Sequence, residues 1–208
     1  MHVLFDFDGT LVDSFECVMN HTIYLADVFN FKKISKDEVA ELRDLSTKEL
    51  VKFLKIPIYR IPALIRHMRA YVHQEILHLK PIEHIHSVVE TLFNAGVDLG
   101  ILTSNSIENV TMWLDAQNMR HFFDFVHIES NYLSKKYLIK KTLKTHKIDK
   151  SQAYYICDET RDIDAAQKNG VRSIAVTWGY NSERALIKYQ PSFIAHHPKD
   201  ILKIVGIS

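Results

Sequence analysis

Two carboxylates two residues apart, Asp6 and Asp8, end the apolar run Val3-Leu4-Phe5 and are followed by Gly9. In an extended segment, residues two apart point the same way. Both acids would then face one site, while Phe5 and Phe7 face the core. Two anions side by side repel, and a hard cation such as Mg2+ is the usual remedy. The apolar run reads as a buried parallel strand, and open α/β sheets bind ligands at the carboxyl ends of such strands. The plainer reading is an acidic turn, since Asp-Gly is a common turn pair.

Three later stretches could complete a site. Thr103, Ser104 and Asn105 end a second apolar run, and their hydroxyl, amide and backbone N–H donors suit phosphate oxygens at a helix start; Ser104 or Ser106 would equally serve as a helix cap. Lys135 lies just inside a later helix, where an ammonium could bind phosphate. Lys136 competes with it, but with Lys135 facing inward Ile139 and Leu143 fall in helical register. Asp158 and Asp162, four apart at a strand-to-helix junction, could share one metal ion. Helix capping by Asp158, with Glu159 and Asp162 supporting the dipole, is the plainer account. Arg43 precedes a short helix and could reach an anionic group of a substrate, or simply pair with Asp44 or Glu41 at the surface.

These residues need elements to hold them. Helical spacing predicts helices over 15–30, 35–43, 46–54 and 62–79, with Ser35/Glu38 and Ser46/Glu49 as capping-box pairs. From Pro81 the pattern alternates: helix 82–95 closed by Gly96, strand 97–102, helix 107–118, strand 125–128, helix 135–146, strand 153–157, helix 161–169 stopped by Gly170, strand 173–177. Alternation of this kind implies an α/β fold with a doubly wound parallel sheet. The expected organisation is an α/β core of residues 1–14 and 80–208, with an all-helical insertion over 15–79 that leaves the core beside Asp6 and Asp8 and can cover them.

The chain has 208 residues, enough for one core and a small inserted module. A formal net charge of +1 offers no electrostatic reason to expect nucleic acid or a membrane surface. Two cysteines, Cys17 and Cys157, suit a reducing cytoplasm better than a disulfide scaffold. No apolar run approaches membrane-spanning length, and none before Asp6 has the length of a signal peptide. The close histidine pairs His84/His86 and His196/His197 read as structural or exposed, and Trp113 as core.

The string Asp6-Phe7-Asp8-Gly9-Thr10-Leu11-Val12-Asp13-Ser14 resembles the first motif of the haloacid dehalogenase superfamily, DxDGTLxDS, at every fixed position. Leu102-Thr103-Ser104-Asn105 looks like the second motif, and Lys135 resembles the third-motif lysine. Residues 158–166 with Gly170 are similar to the acidic fourth motif, though Cys157 stands where the family usually has Gly. The insertion resembles the family's C1-type cap. The resemblance implies a Rossmann-like core and a phosphoglycolate phosphatase-like, Mg2+-dependent phosphomonoesterase working through an aspartyl-phosphate. Asp6 would be the nucleophile and Asp8 the general acid and base, a residue that favours phosphatase over dehalogenase chemistry. The metal would be held by Asp6, the Asp8 carbonyl, Asp158 and Asp162, with Glu159 outside them. Gly9, Thr103, Ser104, Asn105 and Lys135 would bind the phosphoryl oxygens. A phosphosugar mutase and a non-catalytic binding or regulatory protein are the rival readings. The expected partner is a small phosphorylated metabolite rather than nucleic acid or membrane, for a cytoplasmic monomer or homodimer.

Overall fold

β1 (His2–Phe5) runs through the middle of a six-stranded, all-parallel sheet in a computed structural model that describes residues 1–35, 37–129 and 135–207. The other strands are β2 (Asp98–Thr103), β3 (Phe125–Ile128), β4 (Ala153–Cys157), β5 (Arg172–Val176) and β6 (Phe193–Ala195), in spatial order β3-β2-β1-β4-β5-β6. The order reverses between β1 and β4, and a crevice forms at the carboxyl ends of the strands where a sheet reverses in this way. Phe5 pairs with Ile101 on one side and Ile156 on the other, so Asp6 emerges level with the ends of both neighbours.

Both faces of the sheet are covered, which is why its strands read as unbroken apolar runs. Val3, Phe5 and Phe7 pack with Leu99, Ile101, Trp113 and Ile156 on one face. Leu4 packs with Leu102, Ile139 and Tyr155 on the other. Cys157 joins that second cluster without exposure, so the strand accommodates it where the resembling family has Gly. Burying side chains of this size contributes roughly 1.5–3 kcal/mol each, and truncating Leu4 to Ala would cost about 2–5 kcal/mol through the cavity left behind.

Between β1 and β2 the chain forms α1 (Phe15–Val28), α2 (Val39–Leu42), α3 (Thr47–Phe53), α4 (Ile61–Glu75) and α5 (Ile85–Asn94). The first four belong to the insertion, which has an apolar cluster of its own, centred on Leu25, Phe31, Ile34, Leu42 and Leu54. Its two connections to the sheet are pinned together. Asp13 N–H donates to Lys80 O at 2.9 Å and Ile82 N–H to Leu11 O at 2.9 Å. Ser46 and Glu49 complete a capping box on α3. The helix expected over 35–43 contracts to α2, and the one over 62–79 ends at Glu75, followed by a 3-10 turn.

Beyond β2 lie α6 (Ile107–Ala116), α7 (Lys135–Thr145), α8 (Thr160–Asn169), α9 (Glu183–Lys188) and α10 (Pro198–Val205). The spacing predicts no helix or strand beyond residue 177, where β6 completes the sheet and α9 and α10 flank it. β6 has only three residues, too few for alternation to register. Among the described residues, no helix is long and apolar enough to cross a membrane.

Candidate active site

The sheet delivers Asp6 into a buried ion cluster. Lys135 Nζ donates to Asp6 Oδ1 at 3.0 Å and to Leu102 O at 2.9 Å, and lies 3.5 Å from Asp162 Oδ1. Asp6 Oδ1 also accepts the Phe7 N–H at 2.8 Å. Burial pushes the Asp6 carboxyl up to about 7; Lys135 pulls against this shift and the charge of Asp162 adds to it. Lys135 at the start of α7, rather than exposed Lys136, points inward because Leu138, Ile139 and Thr142 bury the same face.

Asp8 has different company. Its Oδ2 accepts the Asn105 side-chain N–H at 3.0 Å, and its Oδ1 is buried without a hydrogen-bond partner. Burial raises its carboxyl, opposed by Asn105 and the nearby Ser14 hydroxyl. Thr103 Oγ1 accepts the Asn105 backbone N–H at 2.9 Å, and the Ser104 carbonyl accepts Arg69 Nη2 at 2.7 Å. The loop after β2 is therefore built around Asn105, with Ser106 capping α6.

The acidic segment after β4 carries Asp158, Glu159 and Asp162. Asp6, Glu159 and Asp162 bring carboxylate oxygens within 4.8 Å of one another. Burial, then the charges of Glu159 and Asp6, hold the neighbouring Asp158 carboxyl well above its ordinary value. Its Oδ1 accepts the Thr10 hydroxyl at 2.9 Å and its Oδ2 the Tyr180 N–H at 2.7 Å, tying the loops after β1 and β5 together. Glu159 has extended dihedrals as the N-cap of α8. Glu159 thus adds a carboxylate beside Asp6 and Asp162, and Asp158 stands next to it with both oxygens hydrogen-bonded. The carboxylate of Asp8 lies outside the cluster, among the described residues.

Gly9 shapes the turn after β1. Its N–H donates to Val12 O at 2.9 Å, inside the turn, which takes that donor away from a phosphate. Its φ of +72° suits glycine, and a Cβ there would fall 2.3 Å from Asp158 Oδ2. Gly9 therefore lets the turn close on Asp158.

Arg43 reaches the loop after β5. Its Nε and Nη2 donate to the carbonyls of Tyr180 at 3.2 Å and Gly179 at 2.6 Å. Its own carbonyl accepts Ser182 N–H and Asn181 Nδ2. Asp44 meets Ser182 and Arg184 rather than Arg43. The residue fastens the insertion to the loop after β5. It also borders a small cavity walled by Phe15, Met19, Leu42, Leu50, Glu159 and Tyr180.

The carboxylate group fits a hard dication. Its donors are all oxygens, it is largely enclosed, and Asp162 Oδ2 is buried with no hydrogen-bond partner. Tyr180 and Thr10, which orient Asp158, escaped the sequence reading because neither type signals a site by itself. Of the histidine pairs, His84 meets His197, with ring centroids 5.1 Å apart, rather than His86.

Comparison with known proteins agrees with this geometry. A phosphoglycolate phosphatase from Synechococcus elongatus is 29% identical over 203 residues, covering 98% of this chain and 96% of that protein. A pyrophosphatase, PpaX, from Bacillus mycoides is 24% identical over 212 residues, covering 98% and 96%. Among solved structures, a haloacid dehalogenase-like hydrolase from Streptococcus pneumoniae superposes with a TM-score of 0.80 at 24% identity, covering 98% of this chain and 97% of that one. A predicted phosphatase from Clostridium acetobutylicum gives 0.84 at 22%, covering 99% and 97%. The model of the haloacid dehalogenase-like hydrolase family matches residues 3–176, spanning every strand end that bears the clustered acids and Lys135, and the chain belongs to that family.

Proposed function

We propose that this hydrolase is a Mg2+-dependent phosphatase for a small phosphomonoester, with Asp6 as nucleophile and Asp8 as general acid and base. The observation that carries the reading is the unlike treatment of two carboxylates on one strand end. Asp6 contacts an ammonium, and Asp8 contacts a neutral amide. Environments that separate two acids in this way suit one to attack and the other to exchange a proton.

In this reading Asp6 Oδ1 is occupied by Lys135 and the Phe7 N–H, which leaves Oδ2 to attack phosphorus in line with the leaving group. As the bond from phosphorus to the leaving oxygen breaks, Asp8 gives that oxygen its proton. Asp8 then takes a proton from the water that hydrolyses the aspartyl-phosphate, restoring both acids. Thr103 accepts the Asn105 N–H and keeps its own O–H for a phosphoryl oxygen, and Lys135 supplies positive charge beside the reacting group. Asp6, Glu159 and Asp162 would hold the metal. When bound, Mg2+ offsets repulsion between carboxylate and phosphate and stabilises charge in the transition state.

The helical insertion acts as the cap that admits substrate. The cavity beside Glu159 is mostly apolar, which favours a small organic leaving group over a second phosphate. Phosphoglycolate is therefore the first substrate to test. Pyrophosphate, named for several relatives, is the second. The decisive assay is Mg2+-dependent phosphate release from a panel of phosphorylated metabolites and an aryl phosphate, with Asp6→Asn alongside. No release from any of them by the wild type would discard the phosphatase reading, and full activity in Asp6→Asn would discard the nucleophile.

A further inference from the structure

A line of hydrogen bonds joins α4 of the insertion to Asp8. His73 Nδ1 lies 2.6 Å from Asn109 Oδ1, Asn109 Nδ2 donates to Asn105 Oδ1 at 2.8 Å, and Asn105 Nδ2 donates to Asp8 Oδ2 at 3.0 Å. The direction of each bond follows from its neighbours. Asn105 Oδ1 also accepts the Ser106 N–H at 2.8 Å, which turns the Asn105 amide nitrogen toward Asp8. Asn109 must then present its nitrogen to Asn105 and its oxygen to His73, so His73 Nδ1 carries the proton. His73 is exposed, whereas Asn105 and Asn109 are buried.

The same helix grips this loop a second time. Arg69, one turn before His73, donates Nη2 to the carbonyls of Ser104 at 2.7 Å and Glu129 at 3.3 Å. Residues four apart share a helix face, so one face of α4 holds both the backbone and the amide chain of the loop after β2. Asn105 Nδ2 donates to Asp8 Oδ2 at 3.0 Å and, with the nearby Ser14 hydroxyl, orients the carboxylate. An amide torsion is broad when nothing fixes it.

We propose that His73 and Asn109 are positioning residues: they aim the Asn105 amide at Asp8 and thereby set the direction in which the general acid delivers its proton when α4 is seated on the core. This rests on the phosphatase reading above. Neither residue touches substrate. Their effect reaches the reaction only through Asp8.

The test uses the dependence of general-acid catalysis on the leaving group. A para-nitrophenolate departs with little help from a proton, whereas an alkoxide needs one. The measurement is kcat/KM for para-nitrophenyl phosphate and for an alkyl phosphomonoester that the wild type turns over, with folding of each variant checked by circular dichroism. His73→Phe keeps a ring and removes the donor, and Asn109→Leu removes the middle of the chain. In both, the ratio of alkyl to aryl kcat/KM should fall about tenfold, a fraction of the 100- to 10,000-fold that a positioned acid typically supplies. His73→Asn, whose Nδ2 takes the place of Nδ1, should bring the ratio back to within about twofold of wild type. A parallel fall on both esters, an unchanged ratio, or no recovery in His73→Asn overturns the proposal. If Asn109→Leu fails to fold, exposed His73 still decides the matter. A wild type that hydrolyses neither ester defeats the underlying phosphatase reading instead, an outcome distinct from an active wild type whose variants keep its ratio.

Discussion

Lys135 Nζ sits 3.0 Å from Asp6 Oδ1 across 129 positions of sequence, and 3.5 Å from Asp162 Oδ1. Burial works against this ammonium, but Asp162 and Asp6 outweigh it and push its pKa above the ordinary lysine value. The lysine therefore stays charged throughout any working pH, and the two acids depend on it. Lys135→Met should destabilise the protein by about 3–5 kcal/mol, the cost of removing one partner from a buried ion pair. It should also lower turnover by about 100-fold or more. Lys136→Met, one residue along and exposed, should change stability by less than about 0.5 kcal/mol. Urea denaturation and steady-state rates on both variants check the contrast. Equal effects would mean that the buried ammonium has no special role.

The raised Asp6 carboxyl makes a pH prediction of definite sign. Its ordinary value is 3.8 and its folded value about 7. Between those values the folded state holds a proton that the unfolded state has lost, so the contribution of Asp6 to stability is fully present below about pH 4 and falls as pH rises to about 7. Asp6→Asn keeps the shape and cannot ionise. Without divalent cations, its stability relative to wild type should improve by a few kcal/mol between pH 4 and pH 8, at about 1.4 kcal/mol per unit of pKa difference. Urea midpoints across that range test it. A difference independent of pH would show that Asp6 ionises normally in the folded protein.

The division of labour between Asp158 and Glu159 is also open to measurement. Glu159→Gln should raise the Mg2+ concentration for half-maximal activity by about tenfold or more, and should shrink the rise in Tm that Mg2+ produces. Asp158→Asn should leave the Mg2+-induced rise in Tm largely intact while lowering Tm itself, since its oxygens hold Thr10 and Tyr180 rather than the cluster. Thermal melts with and without Mg2+ separate the two outcomes. Loss of the Mg2+ response in Asp158→Asn alone would restore that residue to the metal.

For Arg43, a fastening role and a substrate-reading role predict different kinetics. Arg43→Gln should reduce kcat/KM by a similar factor, about tenfold, for phosphoesters with charged and neutral leaving groups, because it loosens the insertion from the Gly179–Tyr180 carbonyls. A rise in KM confined to a carboxylate-bearing ester would instead assign the guanidinium to the substrate.

Much of the core was legible from residue order. Fully buried parallel strands must be apolar along their length, and each such run here stops where chemistry begins: Phe5 before Asp6, Leu102 before Thr103, Cys157 before Asp158. That pattern, with the first motif, was enough to place Asp6, Asp8 and Asn105 near one another. The strands at the far end were not legible, because β6 is too short to carry a period.

What the amino-acid sequence determined by itself is therefore the inventory of the site and the strand ends that carry it, since both follow from local polarity and spacing. Which member of each adjacent pair faces the site was decided only in three dimensions. Glu159 comes beside Asp6 and Asp162, and both Asp158 oxygens accept from Thr10 and Tyr180, because the loops after β1 and β5 supply those partners. Arg43 turns to the carbonyls of Gly179 and Tyr180, and His73 meets Asn109, because packing of the insertion on the core supplies those partners. Such contacts join residues 36 to 137 positions apart, a distance over which no local pattern in the chain carries information.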